Sequence, residues 1–505
     1  MNLLENKYNL NSYYCTWASQ SDLNDISKNT LDSFSSSTRD FLNEEIVFGE
    51  NGLVHQYPEI RENLIFVFDD GWDVPYGLKN NDNNDFGSLI VNEERFPSCS
   101  GEPKERLKKL VDKVKAYGWK GVGIWICASA KGEHWSNVLS PEDTDKYWRE
   151  RFEWSKFAGI SYWKVDWGNR CGDNNFRRVL NNIKDEVYPE LVIEHAVCCG
   201  PLSGIGGGTN HDQSGRYGDW DTVPQRMAQL TEFSDVIRSY DVSTQLSIPT
   251  TIDRVQYILR IGNAFNSKAL LNAENEAYIC AALSLEIGVM TNQLRRQNGS
   301  LVRVKTTEPI RAVNWLSSFA PPLAIGECDV NFSSNILFDY CNFVNLKTWV
   351  SRYGDRVIPQ GAPSITTRND NLPNVEYLED EKPYIVSTRH TNGAYAIAVL
   401  PRFVQEAEKT RFFTPKVNLN ITQKVDLPIG IFGEVNEVNI EFDCSIEGKK
   451  VFAQDLASDE AVDITNECVV DGVNLKINGE LISKIGTSKN CAGDESKPGL
   501  VIKLV

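Results

Sequence analysis

Histidine is scarce, 5 in 505 residues, and the usual metal and nucleophile signatures are missing. There is no HxH, HExxH or CxxC pair and no GxSxG, which removes the standard zinc sites and the serine-hydrolase elbow. No apolar stretch of about 18 residues exists, so no bilayer-spanning helix is expected. Runs of basic residues are absent too: 69 Asp and Glu outnumber 52 Lys and Arg, a net charge of −17. Such a balance repels phosphate backbones and anionic lipids, so neither nucleic acid nor membrane is expected as a partner. The start, MNLLENKYNLNSYYCTW, has one Lys and no apolar h-region, so the chain as given shows no export signal. Its 12 Cys are scattered without a dense framework, a pattern that suits reduced thiols, and a cytoplasmic location is expected.

What is present is a globular composition with 41% apolar residues and 12 Trp. Eight short apolar runs read as buried parallel strands: SYYCTW (12–17), NLIFVFDD (63–70), KGVGIWICA (120–128), GISYWKVD (159–166), LVIEHAV (191–197), SDVIRSYD (234–241), KALLNA (268–273) and EIGVM (286–290). Amphipathic stretches separate several of them. In KERLKKLVDKVKAYG, Leu107, Leu110, Val111 and Val114 recur at helical spacing before Gly118. DTDKYWRERFEWSKFAG and NNFRRVLNNIKDEVYPE repeat the device. Eight strands alternating with helices predict a (β/α)8 barrel over residues 1–360. The stretch 338–356 reads as its last helix. From 361 to 505 short alternating runs, with Asn392-Gly393 and Asn478-Gly479 as hairpin turns, predict an antiparallel β-sandwich. An open nucleotide-binding sheet is disfavoured, since the one Gly cluster, GPLSGIGGG (200–208), follows the fifth strand and reads as a binding loop.

In such barrels function gathers where strands end. The run endings are Trp17, Asp69-Asp70, Trp125, Lys164 with Asp166, Glu194, and Arg238 with Asp241. Acids closing several strands of one barrel, beside two cations and indoles, point to a site. They are the parts that glycoside cleavage needs: one carboxylate to attack, one carboxyl to protonate the leaving oxygen, and flat rings to pack on a sugar. The segment His195, Cys198, Cys199, His211 fits no standard zinc spacing, so no metal or cofactor is expected, and Cys198-Cys199 reads as a packed pair.

FDDGW (68–72), ERFP (94–97), GVGIW (121–125), YWKVDWG (162–168) and RSYD (238–241) together resemble the clan of retaining α-galactosidases and α-N-acetylgalactosaminidases. The resemblance covers roughly residues 10–355 and implies a C-terminal β-sandwich. It implies Asp166 as nucleophile with Lys164 beside it, and Asp241 as acid/base with Arg238 nearby. Asp69 and Asp70 would grip the 4- and 6-hydroxyls, and Trp17 and Trp125 would wall the pocket. Glu194 matches the fifth-strand acid of the loop that reads the 2-substituent, but the HAVCCG after it departs from the clan's usual forms. The implied activity is hydrolysis of terminal α-D-galactosyl residues from a small carbohydrate or glycoconjugate. α-N-acetylgalactosamine and β-L-arabinopyranose remain alternative sugars, and a non-catalytic galactoside-binding protein the alternative of another class. The oligomeric state stays open. Trp135 and Trp220 fall in loops where a leaving-group site would form.

Overall fold

The computed structural model describes residues 1–23, 37–79, 83–134, 136–196, 223–239, 247–290, 305–343, 356–406 and 409–505. Asp241, Cys198, Cys199, the Gly cluster, His211, Trp135 and Trp220 lie outside the described residues.

Each of the eight apolar runs contributes a strand: β1 (Tyr13–Cys15), β2 (Ile65–Phe68), β3 (Gly121–Ile126), β4 (Tyr162–Val165), β5 (Val192–Ala196), β6 (Val236–Arg238), β7 (Leu270–Asn272) and β8 (Gly288–Val289). They pair in parallel in the order β7-β6-β5-β4-β3-β2-β1-β8. A parallel bridge from Asn272 to Glu286 joins β7 to the residues leading into β8 and brings the ring round. The fold is therefore a (β/α)8 barrel.

Among the described residues of the barrel, the helices of seven residues or more run α1 (Trp17–Leu23), α2 (Pro103–Lys115), α3 (Pro141–Ala158), α4 (Asn174–Val187), α5 (Val223–Phe233), α6 (Ser247–Ala264), α7 (Ala277–Leu283) and α8 (Glu308–Ser318). Local chemistry sets their ends. Ser140 caps α3 by accepting the Asp143 N–H, and Gly159 stops it in the left-handed conformation at φ 79°. Asp173 caps α4 by accepting from Asn175 and Phe176. Strand alternation then sorts β4 between two environments. Trp163 faces outward and stacks on Phe152 of α3 with 4.1 Å between ring centroids. Tyr162 packs with Tyr13, Cys15, Ile65 and Val67 inside the barrel, and Lys164 shares its side of the strand.

Past α8 the described residues form mainly sheets. Of the stretch 338–356 expected to be helical, residues 338–343 and 356 lie instead in the strands Ile336–Phe343 and Arg356–Pro363, paired antiparallel from Ile336↔Pro363 to Phe343↔Arg356, and 344–355 lie outside the described residues. Tertiary anchoring decides this: buried Asp339 accepts from Arg402 Nε (2.5 Å) and from the Phe403 N–H (2.9 Å). Strand structure continuous with the C-terminal sheets begins at Val330, ahead of residue 361, since Val330–Phe332 pairs with Ile365–Arg368.

An eight-stranded and a five-stranded sheet face each other as the sandwich, with a shared core that includes Ile397, Val399, Leu419, Ile431 and Ile440. The sheets are mixed rather than purely antiparallel: Tyr395–Leu400 runs parallel to Ile429–Gly433, and Val417–Gln423 parallel to Glu437–Phe442. Asn392-Gly393 does turn a hairpin between Tyr384–Arg389 and Tyr395–Leu400. Asn478-Gly479 does not. Asn478 caps helix α9 (Gly479–Gly486) by accepting the Glu480 N–H at 2.7 Å, and the helix buries Ile482 and Ile485.

The eight-stranded sheet is buried on both faces. Ile397 and Val399 point into the sandwich, whereas Ala396, Ala398 and Leu400 join the barrel core with Trp315 of α8. Contact there is close enough that a Cβ on Gly430 would meet the Trp315 ring at 3.0 Å.

Candidate active site

Residues at two-residue intervals along the strands place polar groups above the apolar barrel interior: Tyr162-x-Lys164-x-Asp166 on β4, Val192-x-Glu194 on β5, Val236-x-Arg238 on β6 and Asn272-x-Glu274 at the end of β7. Register brings Trp125 beside Lys164, Lys164 beside Glu194, and Arg238 beside Asn272.

Asp166 is the carboxylate most open to solvent in this group, its side chain 13% exposed. Oδ2 accepts a hydrogen bond from the Trp125 indole N–H at 3.1 Å, and Oδ1 is ion-paired with Arg238, whose Nη2 stands 3.0 Å away. The Arg177 guanidinium fixes the backbone by donating to the Asp166 carbonyl at 3.0 Å. The carboxylate is thus oriented from two sides while retaining lone-pair capacity.

Lys164 is buried against Asp69 (2.8 Å) and Glu274 (3.1 Å), with Cys15 Sγ at 3.3 Å. Burial and Arg238 oppose its charge, but the carboxylates outweigh them and hold its pKa well above the ordinary lysine value. Asp69 Oδ2 also accepts the Cys15 thiol at 3.0 Å, and its Oδ1 accepts the Asp70 N–H at 2.8 Å. Asp70 turns the other way, onto Arg39 Nε at 2.7 Å. Burial pushes the Asp70 carboxyl up to about 6 against the pull of Arg39, and Asp69 and Asp166 push it further in that direction. Its Oδ1 is buried and has no hydrogen-bond partner. Asp73, three residues on, is also pushed up to about 6 by burial, with Oδ2 on the Leu89 N–H and Oδ1 unpartnered.

The indoles sit as walls. Trp125 and Trp167 lie 5.6 Å apart and both pack on Phe86, under the Arg39 guanidinium. Trp72 locks this wall by donating its N–H to the Trp125 carbonyl at 3.0 Å. Trp17, half-buried at the start of α1, packs on the barrel-interior cluster.

Glu194 stands behind the site and is fully buried. Its Oε2 accepts from Tyr162 OH (2.8 Å) and Asn272 Nδ2 (2.7 Å), while Oε1 faces Tyr13 OH at 3.2 Å and Arg238 Nε at 3.5 Å. Burial raises its pKa. The expectation that Glu194 contacts a sugar therefore meets a carboxyl already surrounded by barrel side chains.

The structure thus gathers Asp69, Asp70, Trp125, Lys164, Asp166, Glu194 and Arg238 at one end of the barrel, with Trp17 at its edge. Sequence reasoning passes over Tyr13, Tyr162, Asn272, Arg39 and Glu274. The tyrosines sit inside apolar runs and read as core. Glu274 had a signal: Asn272-Ala273-Glu274 closes β7 with the same offset as Lys164-Val165-Asp166 on β4. His195 faces outward, its Nε2 2.6 Å from Asn181 Oδ1 and its Nδ1 3.1 Å from Arg177.

No protein-family model and no curated protein matches the chain. Among solved structures it is similar to α-galactosidase I from Mortierella vinacea, at 11% identity over 98% of this chain and 96% of that one, TM-score 0.37. It is similar as well to a β-L-arabinopyranosidase from Geobacillus stearothermophilus, at 10% identity over 99% and 95%, TM-score 0.40. An α-galactosidase thus stands among these structures. So does the carboxyl transferase domain of pyruvate carboxylase from Rhizobium etli, at 14% identity over 55% of this chain and 37% of that one, TM-score 0.30. Likeness this remote assigns neither reaction nor substrate.

Proposed function

We propose that the chain is a retaining glycoside hydrolase that releases terminal α-D-galactosyl residues by double displacement. The observation that carries this reading is the presentation of Asp166, an oriented and partly open carboxylate at the end of β4, flanked by indoles and by a buried lysine two residues upstream.

Asp166 attacks the anomeric carbon while Asp241, in protonated form, protonates the departing oxygen. Water activated by Asp241 then opens the covalent glycosyl-enzyme with net retention, which requires the two carboxyl groups to stand about 5–5.5 Å apart. The role of Asp241 rests on the RSYD motif. Trp17 and Trp125 pack on the sugar's C–H faces, Asp69, Asp70 and Lys164 take its hydroxyls, and Arg238 and Glu194 act from behind. A sugar hydroxyl donating to the unpartnered Asp70 Oδ1 would satisfy an oxygen that the protein leaves bare.

The test is a panel of nitrophenyl glycosides, with α-galactoside, α-N-acetylgalactosaminide and β-L-arabinopyranoside compared directly. The α-galactoside should turn over fastest. Asp166→Ala should lose about 10³-fold or more of kcat and be partly rescued by azide, giving a glycosyl azide of inverted configuration. Undiminished turnover in that variant sinks the nucleophile assignment, and binding without turnover by the wild type sinks the hydrolase reading.

A further inference from the structure

We propose that Glu274 is a positioning residue, the shared counter-ion that fixes both Lys164 and Arg238 and thereby sets how strongly Arg238 draws on the nucleophile. The inference rests on the glycosidase reading for its kinetic consequence, but its geometry is independent of any substrate.

Glu274 lies two residues past β7 and is 1% exposed. Its Oε1 stands 3.1 Å from Lys164 Nζ and 3.4 Å from Arg238 Nη1, and its Oε2 stands 3.3 Å from the same Nη1. One carboxylate therefore touches two cations of the site, each of which holds a different acid: Lys164 holds Asp69 and Arg238 holds Asp166. Without an anion between them, two cations this close and this buried would repel each other and be driven apart or deprotonated.

Tyr13 adds a second leg. Its hydroxyl has one proton and two carboxylate neighbours, Glu274 Oε1 at 2.8 Å and Glu194 Oε1 at 3.2 Å. A single O–H can donate to one of them, and the shorter contact gives it to Glu274. Glu274 is thus held from β1, β4 and β6 at once, as a rigid support for a catalytic geometry must be. The charged and titratable groups facing it are Tyr13 and Cys15 from β1, Lys164 from β4, Arg238 from β6 and Glu194 from β5.

Glu274→Gln keeps the shape and removes the charge. The two cations then face each other without an anion between them, and Arg238 loses the anchor that holds it in place. A displacement of about 1 Å at the reacting carboxylate costs about 10²-fold, so kcat on the aryl glycoside should fall by about that factor with KM changed less than about threefold. Removing a nearby negative charge favours the ionised nucleophile, so the acid limb of kcat/KM should move to lower pH. Glu274→Asp, which restores the charge, should recover at least about tenfold of the loss.

Wild-type kcat with an unmoved acid limb in Glu274→Gln overturns the proposal. So does equal loss in both variants with an unmoved limb and a lowered Tm, the pattern of a merely structural residue. Should the wild type turn over no glycoside, the glycosidase reading fails, and the Glu274 proposal is read from the Trp125 indole N–H resonance, since that N–H donates to Asp166. Its pH titration midpoint should lie lower in Glu274→Gln, and an identical midpoint overturns the proposal.

Discussion

Two buried guanidinium groups, Arg311 and Arg238, meet carboxylates in opposite ways. Arg311 of α8 fastens the barrel to the sandwich by a two-pronged bond to Asp455, Nε to Oδ1 at 2.8 Å and Nη2 to Oδ2 at 3.0 Å. It also donates to the Lys497 carbonyl and to Asn490. Asp455 in turn accepts the Ser488 hydroxyl and the Lys489 and Ala457 N–H groups. Arg238 instead spreads, among the described residues, over three acids, 3.0 Å from Asp166, 3.3 Å from Glu274 and 3.5 Å from Glu194, and pairs two of its nitrogens with the two oxygens of none of these. The first arrangement is saturated and serves cohesion. The second holds several charges at fixed positions with looser contacts, which suits a site whose electrostatics must answer to a developing charge.

The contrast can be broken at either end. The largest effect is expected at the clamp: Arg311→Met strands a buried Asp455, so urea unfolding should show a loss of about 3–5 kcal/mol. kcat per folded molecule should stay at the wild-type value. Arg238→Lys should do the reverse. A single ammonium cannot span three acids, so turnover should drop about 10²-fold, roughly 2.7 kcal/mol of barrier, with little change in the urea midpoint. If both variants lose stability and activity in proportion, the two arginines do not differ in kind.

A smaller effect sharpens the site's own side. The Asp73 carboxyl is raised by burial to about 6, above the ordinary value of about 3.9. The folded state therefore binds this proton more tightly than the unfolded chain does. The stability it contributes is present below about pH 4 and is lost as pH rises through about 6. Asp73→Asn keeps the acceptor for the Leu89 N–H and removes the charge. Thermal unfolding should show a gain of about 1–3 kcal/mol above pH 6 and none below pH 4. A gain that does not depend on pH would contradict the assigned cause.

The barrel was legible because parallel strands buried on both faces leave uninterrupted apolar runs, and all eight did. The ends of those runs supplied Asp69, Asp70, Trp125, Lys164, Asp166, Glu194 and Arg238. Glu274 escaped because KALLNA ends one residue before it, and a strand of three residues carries little pattern. Tyr13 and Tyr162 escaped because a hydroxyl at the tip of an aromatic ring is invisible to an apolar-run argument. FDYCNF read as helix because its anchor, Arg402, lies 63 positions from Asp339. Asn478-Gly479 read as a turn because Asn followed by Gly suits a hairpin and a helix cap alike; the packing of Ile482 and Ile485 decides between them.

The account stands on Asp166 as the attacking carboxylate. The most direct measurement is peptide mapping by mass spectrometry after incubation with a fluorinated galactosyl fluoride, whose glycosyl-enzyme is too slow to hydrolyse. The account predicts one adduct per chain, on Asp166, and an adduct on any other carboxylate, or none while nitrophenyl α-galactoside is still turned over, would contradict it.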